Sequence, residues 1–114
     1  MENNNVKRIC EILSKKKADN ICIIDISSQS VIADYFVICD AASTTQTKTL
    51  CEAVEEEMEK DGIMATRKEG IKDGRWIVLD YTDTIVHIFL REEREFYNIE
   101  KLWTNGINMT VYED

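Results

Sequence analysis

Apolar residues recur along this chain at two periods, and the change from one to the other marks out its elements. Val6, Ile9, Cys10 and Leu13 fall at helical spacing behind asparagines able to cap a helix start. Lys15-Lys16-Lys17 follows, where positive charge suits a helix C-terminus. Ile21 to Ile24 is a short apolar run ending at Asp25, the mark of a buried strand entering the polar loop Ser27-Ser28-Gln29-Ser30. Tyr35 to Cys39 reads as a second strand, closed by Asp40. Ser43 with Gln46 matches a capping box, and Leu50, Cys51, Val54 and Met58 then form the stripe of a long helix stopping at Gly62. The opposite face of that helix carries Glu52, Glu55, Glu56 and Glu59, read as a solvated charge run. Ile63 to Arg67 is expected as a third strand, followed by a loop from Glu69 to Gly74.

The period of two is clearest further on. Arg75 to Tyr81 and Thr84 to Leu90 flank Thr82-Asp83, a length that suits a tight hairpin. In that register Trp76 faces Phe89, Val78 faces His87 and Asp80 faces Ile85. One face collects Ile77, Leu79, Val86 and Ile88 and is plainly core. The other mixes large aromatics, a carboxylate and an imidazole, which is the composition of a contact surface. Arg91 to Trp103 reads as one or two short helices, with Phe96, Ile99 and Trp103 spaced to pack one side. The order helix, strand, strand, helix, three strands, helix predicts a single α/β domain with a mixed β-sheet flanked by helices.

Composition narrows the function classes. A chain of 114 residues is long enough for one modest core, and 44% apolar residues with no proline favour a folded domain over a disordered one. No apolar run approaches the roughly 20 residues of a membrane span, and the start has no basic flank leading into an apolar stretch, so a cytoplasmic protein without a membrane partner is expected. Fourteen basic residues against 22 acidic ones give a formal net charge of -8. That charge argues against grasping a phosphate backbone, so no direct sequence-specific nucleic acid binding is expected, and it is compatible with a basic protein partner. Cys10, Cys22, Cys39 and Cys51 are widely separated within apolar patterns and are expected as buried free thiols, with no metal and no cofactor.

Two candidate chemistries compete with plainer readings. His87, the only histidine, has the ordinary pKa of a general base and shares a face with Asp80, but no serine or cysteine nucleophile is placed beside it, so a hydrogen-bonded structural role is preferred. Trp76 reads equally as filler beneath the C-terminal helices and as an anchor in a protein interface, where tryptophan, tyrosine and arginine carry much of the binding energy.

Glu69-Gly70, Trp76, Asp80, Asp83, His87-Ile88-Phe89, Arg94, Tyr97, Glu100 and Leu102-Trp103 resemble the signature of the ribosomal silencing factor family, also called Iojap-related proteins. Asp25-Ile26-Ser27 and Ala33 to Ile38 resemble that family's first two strands. One departure is Thr82, where the family usually has glycine; threonine is poor at a positive backbone angle, so a different turn type is expected. The resemblance implies a nucleotidyltransferase-like architecture in a protein that is not an enzyme. A nucleotidyltransferase needs a Gly-Ser turn and paired acids, whereas Ser27-Ser28 lacks the glycine and Asp34 is followed by Tyr35-Phe36. A nucleotide-binding or nucleotidyltransferase-like enzyme is therefore the alternative. The resemblance implies docking on large-subunit ribosomal protein fourteen, a steric block of subunit joining that represses translation, a role in large-subunit maturation, and a homodimer. It turns the balance at Trp76 toward an interface, with Asp80, His87, Phe89, Arg94, Tyr97 and Trp103 as its companions.

Overall fold

The computed structural model describes residues 4–113. In chain order the elements are α1 (Asn4–Lys15), β1 (Asp19–Asp25), β2 (Tyr35–Ala41), α2 (Thr44–Lys60), β3 (Arg67–Glu69), β4 (Trp76–Asp80), β5 (Thr84–Leu90), α3 (Arg91–Tyr97), α4 (Ile99–Trp103) and β6 (Met109–Val111). The strands form one sheet in the order β3-β4-β5-β2-β1-β6. Only β2 and β5 run parallel, with α2 in the crossover between them, so the sheet is mixed as expected.

Alternation along β2 explains why the chain needs cover on both sides of the sheet. Val37, Cys39 and Ala41 enter one core with Ile9, Leu13, Leu50, Val54 and Met58 from α1 and α2. Phe36 and Ile38 enter a second core with Cys22, Ile24, Ile26, Phe89 and Ile99. All four cysteines are buried with free thiols, and burial pushes Cys10 and Cys51 up to about 12.

The long helix is capped nearly as its sequence suggests. Ser43 Oγ accepts from the Gln46 amide at 3.1 Å, while the return arm, Gln46 Oε1, accepts from Ala42 N at 3.4 Å rather than from the Ser43 amide. At the other end Gly62 takes φ 79°, and the Ile63 amide bonds back to Met58.

Three expectations require correction. The third strand is Arg67–Glu69, not Ile63 to Arg67, and the following loop starts after Glu69. Ile63 and Ala65 are apolar because they pack on the α1/α2 core; the ladder to β4 begins only where Thr66 N meets Asp80 O. Phe96 does not pack with Ile99 and Trp103: Asn98 adopts φ 43° and separates two helices, leaving Phe96 79% exposed. Strand β6 lies beyond Trp103, where the pattern predicts no further element.

The hairpin keeps its expected register of Trp76↔Phe89, Val78↔His87 and Asp80↔Ile85. Its turn is unusual. Thr82 has φ 73°, the Asp83 amide bonds to Tyr81 O, and Asp80 Oδ1 accepts from Thr82 N at 2.8 Å. The bond across one residue makes this a γ-turn of the strained, positive-φ kind, held in place by the aspartate. Left-handed backbone costs a branched residue roughly 1–2 kcal/mol. Thr82→Gly is therefore expected to raise unfolding free energy by about 1 kcal/mol in urea titration; a destabilised variant would contradict a strained turn.

Candidate functional site

The second face of the sheet is where the singled-out residues gather. Trp76 starts β4, His87 and Phe89 lie on β5, Arg94 and Tyr97 on α3, and Trp103 ends α4. The entry to β4 is fixed by close backbone packing. A Cβ at Gly70 (φ 77°) would sit 1.9 Å from the Trp76 carbonyl oxygen, and buried Thr47 Oγ1 donates to Gly74 O at 2.6 Å.

From there the aromatics form a continuous chain. Trp76 stacks on Phe89 at 4.8 Å and leans against Tyr97 at 4.9 Å, and Tyr97 meets Phe96 edge-on at 5.0 Å. Inward, Trp76 Nε1 donates to His87 Nδ1 at 3.1 Å. His87 lies edge-on to Phe36 at 4.5 Å, and Phe36 reaches Trp103 at 5.2 Å.

Burial sorts the candidates. Phe89 is fully enclosed and His87 is buried, so this face is an interior under α3 and α4, and only its rim has the character of a contact surface. Trp76 and Trp103 are half-buried, and Tyr97 is 47% exposed. Asp80 is half-buried with its carboxylate engaged in the turn.

Arg94 is largely buried in an ion-pair junction. Its Nη1 donates to Asp40 at 3.0 Å and to Asn20 O at 2.6 Å, and its Nε donates to Glu100 at 2.9 Å. Asp40, buried at the end of β2, also accepts from Arg91 Nε at 3.0 Å. Burial opposes the Arg94 charge, but Glu100 and Asp40 outweigh it and hold its pKa above the ordinary value. These bonds tie the C-terminal helices to the sheet.

Four further apolar residues are exposed: Phe96 and Leu102, named in the sequence without a contact role, and Val31 and Ile32, not singled out there, in the loop that Gln29 ties to α4 through Trp103 O at 3.0 Å. Their signal was available as large apolar side chains in segments too short or too loop-like to bury them.

The competing chemistry does not assemble at the positions where it was sought. Ser27 spends its hydroxyl and its amide on Asp25 Oδ1, at 2.6 and 3.0 Å, which also lowers the Asp25 pKa. Asp34 is exposed, and among the described residues no three His, Cys, Asp or Glu side chains are placed to hold a metal. His87 has both ring nitrogens in the interior, and Nε2 has no hydrogen-bond partner among the described residues.

Fold and site together define a small mixed-sheet α/β domain with an exposed aromatic corner. The profile of the family described as ribosomal silencing factor during starvation matches residues 1–113, and the chain belongs to that family. It is 36% identical over 88 residues to the ribosomal silencing factor RsfS of Bacillus subtilis, covering 77% of this chain and 75% of that one. With the RsfS of Haemophilus influenzae it shares 35% identity over 98 residues, 86% of this chain and 96% of the relative. The crystal structure of a Chromobacterium violaceum protein superposes with a TM-score of 0.85 at 28% identity, covering 90% of this chain and 87% of that one.

His87 gives the site a pH signature. Burial lowers its pKa from the ordinary 6.5 to about 4. Between those values the unfolded chain takes up a proton that the folded chain refuses, so stability complete above pH 6.5 is lost as pH falls toward 4. The loss reaches on the order of 3 kcal/mol at the lower end. Because His87 is the only histidine, the slope between pH 6.5 and 5 reports on it. His87→Gln should flatten that segment of a stability-against-pH curve measured by urea unfolding; a curve parallel to that of the natural chain would contradict the buried neutral imidazole.

Proposed function

We propose that this protein silences ribosomes by docking on the large subunit, through its ribosomal protein fourteen, at the face that meets the small subunit. The mechanism is steric. A folded chain of 13.2 kDa seated there keeps the subunits apart and represses translation, and the same docking serves large-subunit maturation. The protein works in the cytoplasm as a binding module, without turnover and without a cofactor. A homodimer belongs to this reading.

The observation that carries the proposal is the aromatic corner. Trp76, Phe96 and Tyr97 form a connected, partly exposed cluster on rigid elements. Exposed apolar surface gathered in this way marks a protein contact, and aromatic anchors held in fixed rotamers carry the energy of such contacts. The formal charge of -8 adds attraction toward a basic ribosomal protein. Within this surface Trp76, Tyr97 and Trp103 touch the partner. His87, Phe89 and Arg94 act from beneath by holding Trp76 and α3 in place, and Asp80 acts through the turn that ends β4.

Trp76→Ala and Tyr97→Ala should each weaken binding to purified large subunits by about 2 kcal/mol, roughly thirtyfold, with the circular dichroism spectrum kept. Raised salt should weaken the natural chain as well. Folded variants that bind as tightly as the natural chain would move the contact elsewhere on the molecule.

A further inference from the structure

Seven asparagines stand in the chain, and only Asn105 is followed by glycine. The pair lies in the loop between α4 and β6, where Asn105, Gly106 and Ile107 are exposed to solvent. Neither core includes these residues, and the aromatic corner does not use them.

An asparagine side chain can react with its own backbone. The amide nitrogen of the next residue attacks the carboxamide carbon, a succinimide ring closes, and ammonia leaves; holding both partners in one chain is what makes the attack feasible. A side chain on the next residue obstructs that approach. Gly106 has none, and no atom beyond its chain neighbours lies within 4 Å of where a Cβ would stand. Its φ of 94° is one that glycine holds without strain.

The loop also activates the carbon. Asn105 Oδ1 accepts from Ile107 N at 3.0 Å and from Asn108 N at 3.1 Å. Both donors lie beyond Gly106, so closing these bonds folds the carboxamide back over the Gly106 peptide. As the nitrogen adds, Oδ1 takes on negative charge, and hydrogen bonds to a charged acceptor are roughly twice as strong as those to a neutral one. Two backbone donors aimed at a developing oxyanion are the arrangement that acyl-transfer sites use. Against this stands one bond, Gly106 N to Thr104 Oγ1 at 3.2 Å, which must break before the amide loses its proton. It is a long bond to a neutral hydroxyl, so two strengthened bonds outweigh one lost.

We propose that Asn105-Gly106 is a self-modifying site, at which the folded loop promotes deamidation of Asn105. Hydroxide takes the Gly106 amide proton and becomes water, and the nitrogen bonds to Cγ. The Cγ–Nδ2 bond breaks, and Nδ2 leaves as ammonia with a proton from that water, which restores the hydroxide. A second water then opens the ring. Opening at the side-chain carbonyl leaves an aspartate, which keeps both Oδ1 bonds and puts a negative charge into Thr104 to Tyr112, a run that otherwise has none. Opening at the main-chain carbonyl leaves an isoaspartate, whose chain runs through Cβ and is one backbone atom longer. The loop has no room for that atom in its bonding pattern. Asn105 N donates to Asn108 Oδ1 at 2.8 Å, and Asn108 Nδ2 holds Asp25 O at 2.9 Å and Trp103 O at 3.0 Å. Lengthening the backbone at Asn105 breaks this spacing and unties α4 and β6 from β1.

Tryptic mapping of the folded chain, held in mildly alkaline buffer and sampled over time, tests this. Cleavage after Lys101 releases Leu102 to Asp114 as one peptide. Its fragment masses should place the exchange of an amide NH2 for OH at Asn105 and not at Asn108, at a rate rising in proportion to hydroxide. Conversion should be several-fold faster than in the same chain unfolded in urea at the same pH, where Gly106 remains but the two donors are gone. Asn105→Gln should remove the signal. The isoaspartyl fraction, separated by chromatography, should unfold at lower urea than the natural chain, while Asn105→Asp should unfold at the same urea concentration or higher. An Asn105 that stays intact in the folded chain, or that converts more slowly folded than unfolded, overturns the proposal.

Discussion

The second face of the sheet is closed by two helices of seven and five residues, and neither length is stable alone. What holds them is the buried arginine-carboxylate junction at the end of β2. Arg94 joins Asp40 on the sheet to Glu100 on the next helix, and Arg91 reaches Asp40 and Asp19. A buried pair of this kind is weak evidence for stability, because desolvating its charges offsets much of their attraction. Its effect here is positional. With α3 and α4 fixed over β5 and β2, Phe89 and His87 become interior, Trp76 is left half-covered, and Tyr97 is set against its ring.

The interior thus determines the surface. The indole of Trp76 is held from below by stacking on Phe89, from the side by Tyr97, and at its nitrogen by His87. One hydrogen bond to a neutral imidazole selects a single orientation for a side chain that would otherwise choose among several rotamers. A rigid aromatic loses little freedom on binding, which is how a small surface gathers affinity. The imidazole does this because burial keeps it uncharged near neutral pH. In the surface proposed above, its part is to place Trp76.

Much of this was readable in the chain. Helical spacing located α1 and α2, the capping box located the start of α2, and alternation gave the β4/β5 register residue by residue. The failures share a physical origin. Ile63 and Ala65 are apolar through packing without pairing, and a left-handed Asn98 broke the spacing that grouped Phe96 with Ile99. Ile107-Asn108-Met109-Thr110-Val111 does alternate, but such a short edge strand depends on its ladder to β1, which pattern alone does not reveal. The structure brings Trp76, His87, Phe89 and Tyr97 into one cluster, but their depth was not legible. A face holding tryptophan, histidine and phenylalanine has the composition of a surface, and only the clamp beneath it decides that most of it is core.

An obstacle and a catalyst differ in stoichiometry, and that difference reaches the central claim directly. Separated ribosomal subunits, mixed after titration with this protein and resolved on sucrose gradients, give the fraction that joins. Inhibition should rise in proportion to added protein and saturate near one docked copy per large subunit, while ribosomes already joined are little affected because the site is covered. Undiminished joining at full occupancy of the large subunit would contradict the steric account.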